Sequence, residues 1–305
     1  AHPQMPDTDR QNWDAETLWQ RLEPLHPGLT VEVLAEAGST NTVLLERARL
    51  GDTAASLLVA ERQTQGRGRQ GRPWQSAPGA SLTFSLALPL AAADWSGLSL
   101  AVGLALAEAL DPPVPGQTAG QVPRIGLKWP NDLMLVQPDG LPHKLGGILI
   151  ESVAAAGQRM AVVGVGLNIV PQARSGLPVQ ALSQGYGGVQ ALHPALDAPA
   201  TLARVAEPLL RALLAFQQAG FAPLRERYAA RDLLAGQPVS TSLADLPEGV
   251  ADGVDSDGAL WVRAQGRRHR VSSGEVSVRA TAAAPAAATA GGPAGGPTAR
   301  GATAC

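Results

Sequence analysis

Cysteine is nearly absent: the chain holds one, Cys305, as its last residue. No disulfide can close within the chain and no zinc site can be assembled from thiolates, and a reducing cytoplasm is the compartment this usage suits. An excess of charge is missing as well. Lys plus Arg number 24 against 26 Asp plus Glu, for a formal net charge of -2. No global field therefore draws the chain to nucleic acid or an anionic membrane, and any anion must be held locally. Long apolar runs are lacking too: all fall well short of the ~18 residues of a membrane span, and the first thirty residues carry no continuous apolar segment of the secretory kind. The five histidines, His2, His26, His143, His193 and His269, are scattered without metal-ligand spacing and read as solvated or core residues.

What is present suffices for one large domain and one small one, because single cores stop growing at roughly 250–300 residues and the chain has 305. Residues 1–12 are polar and contain proline, and 1–13 read as a flexible N-terminus. Over 14–25, Leu18, Trp19 and Leu22 share a helical face behind an Asp14 cap. A strand at Val31–Leu34 leads through Ser39-Thr40-Asn41 into a helix whose Val43, Leu44, Leu45 and Ala48 face a core before Gly51 ends it. Strands over 57–61 and 81–88 flank a loop rich in glycine and arginine, and an apolar helix covers 98–110. Three more strands follow over 125–129, 144–152 and 160–169, with a Pro138-Asp139-Gly140 turn between the first two. Residues 111–123 and 171–199 read as loops, and 201–218 and 221–231 as helices that close a large mixed α/β domain over 14–234. Short β runs with an Asp257-Gly258 hairpin turn then indicate a small β-barrel over 235–279. The Ala, Gly, Pro and Thr tail over 280–305 has too little apolar surface to order itself.

The most informative stretch runs from Glu61 to Trp74. Glycines alternating with arginines, Gly66-Arg67-Gly68-Arg69 and then Gly71-Arg72, let the backbone approach a ligand while guanidinium forks reach phosphate or carboxylate oxygens. No Gly-Lys-Ser/Thr follows, so this is no P-loop, and the strand–helix context of a dinucleotide fingerprint is missing. By itself such alternation also fits a flexible basic loop or an RGG-like element for RNA. Lys128-Trp129-Pro130-Asn131-Asp132 narrows the choice: a strand delivers a lysine, an X-Pro step turns the chain, and a carboxylate is left at the strand end. Lys144-Leu145-Gly146-Gly147-Ile148-Leu149 places two glycines inside an apolar strand, the mark of a bulge or of a surface that a ligand touches. Gly164-Val165-Gly166-Leu167-Asn168 repeats the pattern.

These five motifs, with Ser39-Thr40-Asn41 as the first, occur in the order and spacing of the biotin protein ligase family, which the chain resembles across residues 38–170. The resemblance implies an α+β fold, a mixed-sheet catalytic domain followed by a small SH3-like β-barrel. It implies ATP and biotin as substrates with Mg²⁺, formation of biotinyl-5′-adenylate and pyrophosphate, and transfer of biotin to a lysine of a biotin carboxyl carrier domain. Carried over by motif, Ser39, Thr40, Asn41 and Gln63 contact biotin, mainly its ureido ring, whose donors and acceptor need partners once buried. Gly66, Arg67, Gly68 and Arg69 fold over biotin and the adenylate. Lys144 and Gly147 form a second wall, Asn168 lies near the nucleotide, and Lys128 and Trp74 belong to the site. Arg67, Arg69 and Lys144 neutralise the reacting anions together with magnesium. Asp132, by its place in the motif, orients or deprotonates the acceptor amine, or alternatively binds Mg²⁺.

Other readings make different demands. A lipoate or octanoate ligase or transferase of the same fold usually carries an Arg-Arg-x-x-Gly-Gly-Gly-like signature, which the chain lacks. A bifunctional ligase and DNA-binding repressor needs a helix-turn-helix ahead of Ser39, and the 38 residues there hold one clear helix, so no DNA binding is expected. Neither a monomer nor a homodimer is favoured by any sequence feature.

Overall fold

The computed structural model describes residues 11–113, 123–175, 185–272 and 277–281. A seven-stranded mixed sheet has the spatial order β1-β2-β3-β7-β6-β5-β4, where β1 is Thr30–Ala37, β2 Ser56–Gln63, β3 Ser81–Pro89, β4 Ile125–Lys128, β5 Asp132–Val136, β6 Pro142–Ala155 and β7 Gln158–Asn168. β1 and β2 pair in parallel and every other neighbour is antiparallel. One face carries α1 (Ala15–Leu22), α3 (Leu98–Leu110) and α4 (Ala198–Ala219), packed over Leu57, Val59, Phe84, Leu86, Val163 and Val165. α2 (Thr40–Arg49) lies on the other face, with Leu44, Leu45 and Ala48 against Leu58, Ala87, Met160 and Val162. Adjacent strand residues thus point into different layers, as the pleat requires.

Several sequence expectations change. Asp132 to Val136, left out of the strands above, is a full strand: β4 and β5 form a hairpin in which Lys128 faces Asp132, and the 138–140 turn connects β5 to β6. Asp14 stands at the start of α1 with a left-handed backbone and makes no side-chain cap. Leu18 and Leu22 are buried, whereas Trp19 is 42% exposed and donates its Nε1 to Leu29 O at 3.0 Å. The helix expected over 221–231 is a 3₁₀ turn at Ala222–Leu224 followed by the short α5, Arg225–Ala229. The tail beyond residue 281 and parts of both long loops lie outside the described residues.

A second, antiparallel sheet has the order β11-β10-β9-β8-β12, with β8 Pro238–Thr241, β9 Glu248–Val254, β10 Leu260–Ala264, β11 Arg267–Val271 and β12 Val278–Ala280. Among the described residues β11 and β12 each pair on one side only, so the sheet has two free edges and is not the closed barrel expected. Ala280, assigned to the tail on sequence, ends β12. The two sheets are joined where Trp129, 1% exposed, donates its indole N–H to Gly258 O at 2.9 Å. A Cβ on Gly258 would stand 2.8 Å from Gly97 Cα at the head of α3, so this approach needs a glycine.

Candidate active site

α2 covers only the Met160 end of its face of the sheet. Beyond its N-terminus the same face continues along alternate residues: Thr83 and Ser85 on β3, Gly164, Gly166 and Asn168 on β7, and Gly147, Leu149 and Glu151 on β6. Apart from Leu149 the side chains there are small or polar, and a cavity of about 880 Å³ opens beyond the helix. The glycine–arginine loop and β12 roof it.

Two of the glycines make room for protein rather than ligand. A Cβ on Gly164 would lie 2.4 Å from Asn41 Oδ1, and one on Gly166 would lie 2.4 Å from the Trp74 indole. Gly66, expected in the loop that meets the ligand, is absent from the cavity lining. Its carbonyl accepts Trp74 N–H at 2.8 Å, and a Cβ there would meet Trp74 O at 2.5 Å. Gly66 therefore serves to seat Trp74.

The inner end of the cavity is lined by hydroxyl and amide groups in a hydrogen-bond chain that is anchored outside the lining on the Glu151 carboxylate. Gln63 Oε1 accepts Thr40 N–H at 2.8 Å and lies 3.2 Å from Thr40 Oγ1. Ser85 Oγ, fully buried, stands 2.6 Å from both Thr40 Oγ1 and Asn41 Oδ1. The amide of Asn41 donates to Leu149 O at 3.1 Å and to Glu151 Oε2 at 2.9 Å. Asn41 is 3% exposed, and both ends of its amide are engaged within the protein. Ser39 precedes α2 without forming a side-chain cap, so its hydroxyl is not spent on the helix.

The outer end is cationic. Arg67, Arg69, Arg72, Lys128, Lys144 and Arg279 line it, with Asp132 as the one carboxylate among the described lining residues. Lys144 Nζ donates to Asp132 Oδ1 at 2.8 Å, and Lys128 Nζ lies 3.9 Å from Asp132 Oδ2. Burial pushes Lys128 below the ordinary lysine range, partly offset by Asp132, and burial likewise lowers Arg69. Arg69 reaches Asn131 Oδ1 at 3.4 Å, and Arg67 donates to Glu151 and Thr42. Asn168 donates to Lys144 O at 3.0 Å, fixing the strand that carries the lysine. Tyr186 adds an apolar wall; its hydroxyl donates to Val170 O, and burial pushes its pKa up to about 12.

Of the residues singled out on sequence, Ser39, Thr40, Asn41, Gln63, Arg67, Gly68, Arg69, Trp74, Lys128, Asp132, Lys144, Gly147 and Asn168 all line this cavity. Ser85, Glu151, Tyr186, Ser277 and Arg279 were missed. Ser85 is hidden in a strand that reads as pure core, and Ser277 and Arg279 sit far away in sequence. Ser277 Oγ donates to Gln70 Oε1 at 2.7 Å and lies 3.3 Å from Arg72 Nη2, tying the loop to the second sheet.

Known proteins share this sequence pattern and fold. Residues 34–168 match the biotin/lipoate A/B protein ligase family. The chain is 36% identical over 260 residues to the biotin–[acetyl-CoA-carboxylase] ligase of Mycobacterium tuberculosis, spanning 81% of this chain and 88% of that one. It is 34% identical to the bifunctional ligase/repressor BirA of Salmonella typhimurium, spanning 82% and 74% of the two. Among solved structures, a biotin protein ligase from Aquifex aeolicus in complex with biotin and ATP superimposes with a TM-score of 0.65 at 26% identity, covering 82% of this chain and 99% of that one. The chain belongs to the biotin protein ligases of the biotin/lipoate ligase family.

Proposed function

We propose that the cavity joins biotin to ATP, forming biotinyl-5′-adenylate, and then passes biotin to a lysine of a biotin carboxyl carrier domain. The observation that carries this reading is the polarity of the cavity: uncharged and hydrogen-bonding at its inner end, cationic at its outer end. Biotin has that same polarity, a neutral ureido bicycle on an anionic tail. Ser39, Thr40 and Gln63 offer hydroxyl and amide groups to the ring. A lipoyl or octanoyl tail has no ureido donors and acceptor to exchange with these groups and would remove them from water without a new hydrogen bond.

In the first step a biotin carboxylate oxygen attacks the α-phosphorus and pyrophosphate leaves. Two anions must meet, and Arg67, Arg69 and Lys144 supply the opposing charge; preorganised cations in a half-buried site act more strongly than in water. Among the described residues no three His, Cys, Asp or Glu converge on a metal position. Asp132 is a single carboxylate beside the cationic wall, which suits magnesium arriving on nucleotide phosphates, the mode in which that ion binds through one or two carboxylates. Bound there, it would add positive charge to the phosphates.

In the second step the neutral acceptor amine attacks the carbonyl carbon of the mixed anhydride and AMP leaves. The amine must first lose a proton, since free lysine titrates near ~10.4. Asp132, held by Lys144 at 2.8 Å, is placed to orient that amine. The second sheet we read as the SH3-like counterpart, which contributes Ser277 and Arg279 to the roof. Incubation with radiolabelled biotin, MgATP and a carrier domain should label the carrier, and a carrier lacking its lysine should stay unlabelled. Labelling with lipoate in place of biotin would overturn the reading.

A further inference from the structure

We propose that Glu151 is a positioning residue that couples the ring-binding end of the cavity to the glycine–arginine loop. The inference rests on the biotin reading of the site and names a residue outside its lining.

Glu151 lies on β6 on the face it shares with Gly147 and Leu149. One carboxylate gathers donors from two places. Oε2 accepts Asn41 Nδ2 at 2.9 Å and Arg67 Nη2 at 3.0 Å, and Oε1 lies 3.2 Å from the same Arg67 nitrogen. Arg67 also donates to Thr42 Oγ1 at 3.2 Å, one residue along α2 from Asn41. The start of the loop is thereby pinned to the helix end and strand that form the cavity floor.

The Arg67–Glu151 pair is partly exposed, with side chains 43% and 26% accessible, and such a pair contributes little alone. Asn41 is different because it is buried. Its oxygen is held by Ser85 and its nitrogen by Leu149 O and Glu151, so the carboxylate fixes one end of a closed network whose members reinforce each other. The hydrogen-bond chain from Gln63 through Thr40, Ser85 and Asn41 reaches Glu151 beside a branch to Leu149 O, and Arg67 joins it at Glu151. A ring seated against this network meets an Asn41 whose orientation depends on Glu151. A loop closing over the ring starts from an Arg67 that depends on it too.

The test measures biotin binding alone by calorimetry, and pyrophosphate release against ATP concentration, for wild type, Glu151→Ala and Glu151→Gln. Removing an acceptor from a buried amide network should raise the biotin Kd of Glu151→Ala about tenfold or more while the KM for ATP moves less than about threefold. Glu151→Gln keeps an oxygen for Asn41 and should bind biotin within about threefold of wild type. Having lost its charge, it should release Arg67, and trypsin should then cut faster at Arg67 and Arg69 in the ligand-free protein. Should Glu151→Ala not fold, the glutamine variant still carries the proposal: unchanged trypsin cleavage, or biotin binding as poor as for an unfolded protein, overturns it. Wild-type binding of biotin with both variants unchanged overturns the inference alone. A wild type that binds no biotin overturns the biotin reading and this inference with it.

Discussion

The indole of Trp74 occupies the space that a Cβ on Gly166 would need, its Cε2 2.4 Å from that position. The ring cannot slide along the strand to make room, because Trp74 N–H is bonded to Gly66 O and Gly66 itself closes on Trp74 O. Among the described residues the indole N–H, buried against the strand, has no hydrogen-bond partner. Gly166→Ala should expel the ring. Overpacking of this kind costs roughly 1–3 kcal/mol of stability, and misplacing a wall of the site should lower kcat/KM for ATP roughly 10–100-fold. Thermal unfolding and initial rates check both; a variant with wild-type kinetics would mean that Trp74 only packs.

Asp132 stands between two lysines, and its loss leaves Lys144 without its partner. Asp132→Asn should slow adenylate formation on the order of 10²-fold, the scale of losing one preorganised electrostatic contact. Transfer from preformed biotinyl adenylate to a carrier lysine should fall as well if the carboxylate orients the amine. Quench-flow measurement of each half-reaction separates the two, and a variant normal in both would remove Asp132 from the chemistry.

The sequence made the apolar layers legible because their signal is local. The run over Leu98–Leu110 reads as a helix and is one, and the alternation in Ser81–Leu88 marks a strand. Asp132–Val136 was missed because it follows a tight Trp-Pro turn, where four apolar residues behind Asp132 look like the end of that turn. Except for Gly66, the site residues taken from the motifs line the cavity, but the motifs did not say what each touches. Gly164 and Gly166 read as a bulge or as a surface that a ligand touches, whereas they accommodate Asn41 and Trp74. That information lies in pairings across 92 to 123 positions, which no local pattern records. Closure of the small domain was not legible for a similar reason: strand content is local, but closure depends on an edge pairing between β11 and β12, which is not formed among the described residues.

Asp232 gives a stability prediction with a definite sign. Burial raises its pKa, and although Oδ1 accepts Leu234 N–H at 2.9 Å, Oδ2 has no hydrogen-bond partner among the described residues. A carboxyl whose folded pKa is raised favours the folded state most while it stays protonated, below its unfolded pKa, and that contribution is lost as pH rises through the folded value. Asp232→Asn, which cannot ionise, should therefore be more stable than wild type at neutral and alkaline pH, with the gain shrinking as pH falls toward the ordinary carboxylate range. Melting temperatures across pH 4 to 8 test it, and a gap that widens on acidification would reverse the assignment.

Loop closure can be followed by proteolysis. Arg67 is 43% accessible at its side chain, and the loop is held at its far end by Ser277 on the second sheet. Biotin with MgATP should add contacts to Arg67 and Arg69 and so slow trypsin cleavage there, because closing loops order around a bound reactive intermediate. Cleavage unaffected by both substrates would show that the loop does not fold over them.

Ser85 offers the sharpest separation between the two ends of the cavity. Its hydroxyl, fully buried, reaches Thr40 Oγ1 and Asn41 Oδ1 at 2.6 Å each, and among the described residues Ser85 is the donor to the Asn41 oxygen. Ser85→Ala leaves that oxygen buried without a donor, a loss of about 1–3 kcal/mol, which is roughly a 5–150-fold weaker interaction if it is felt in binding. Because Ser85 lies beneath the uncharged end and away from Lys128 and Lys144, the biotin Kd should rise while the KM for ATP stays near wild type. Calorimetry with biotin and pyrophosphate release against ATP give the two numbers. If they rise together, Ser85 supports the fold as a whole and the inner hydrogen-bond chain is not the part that reads the ring.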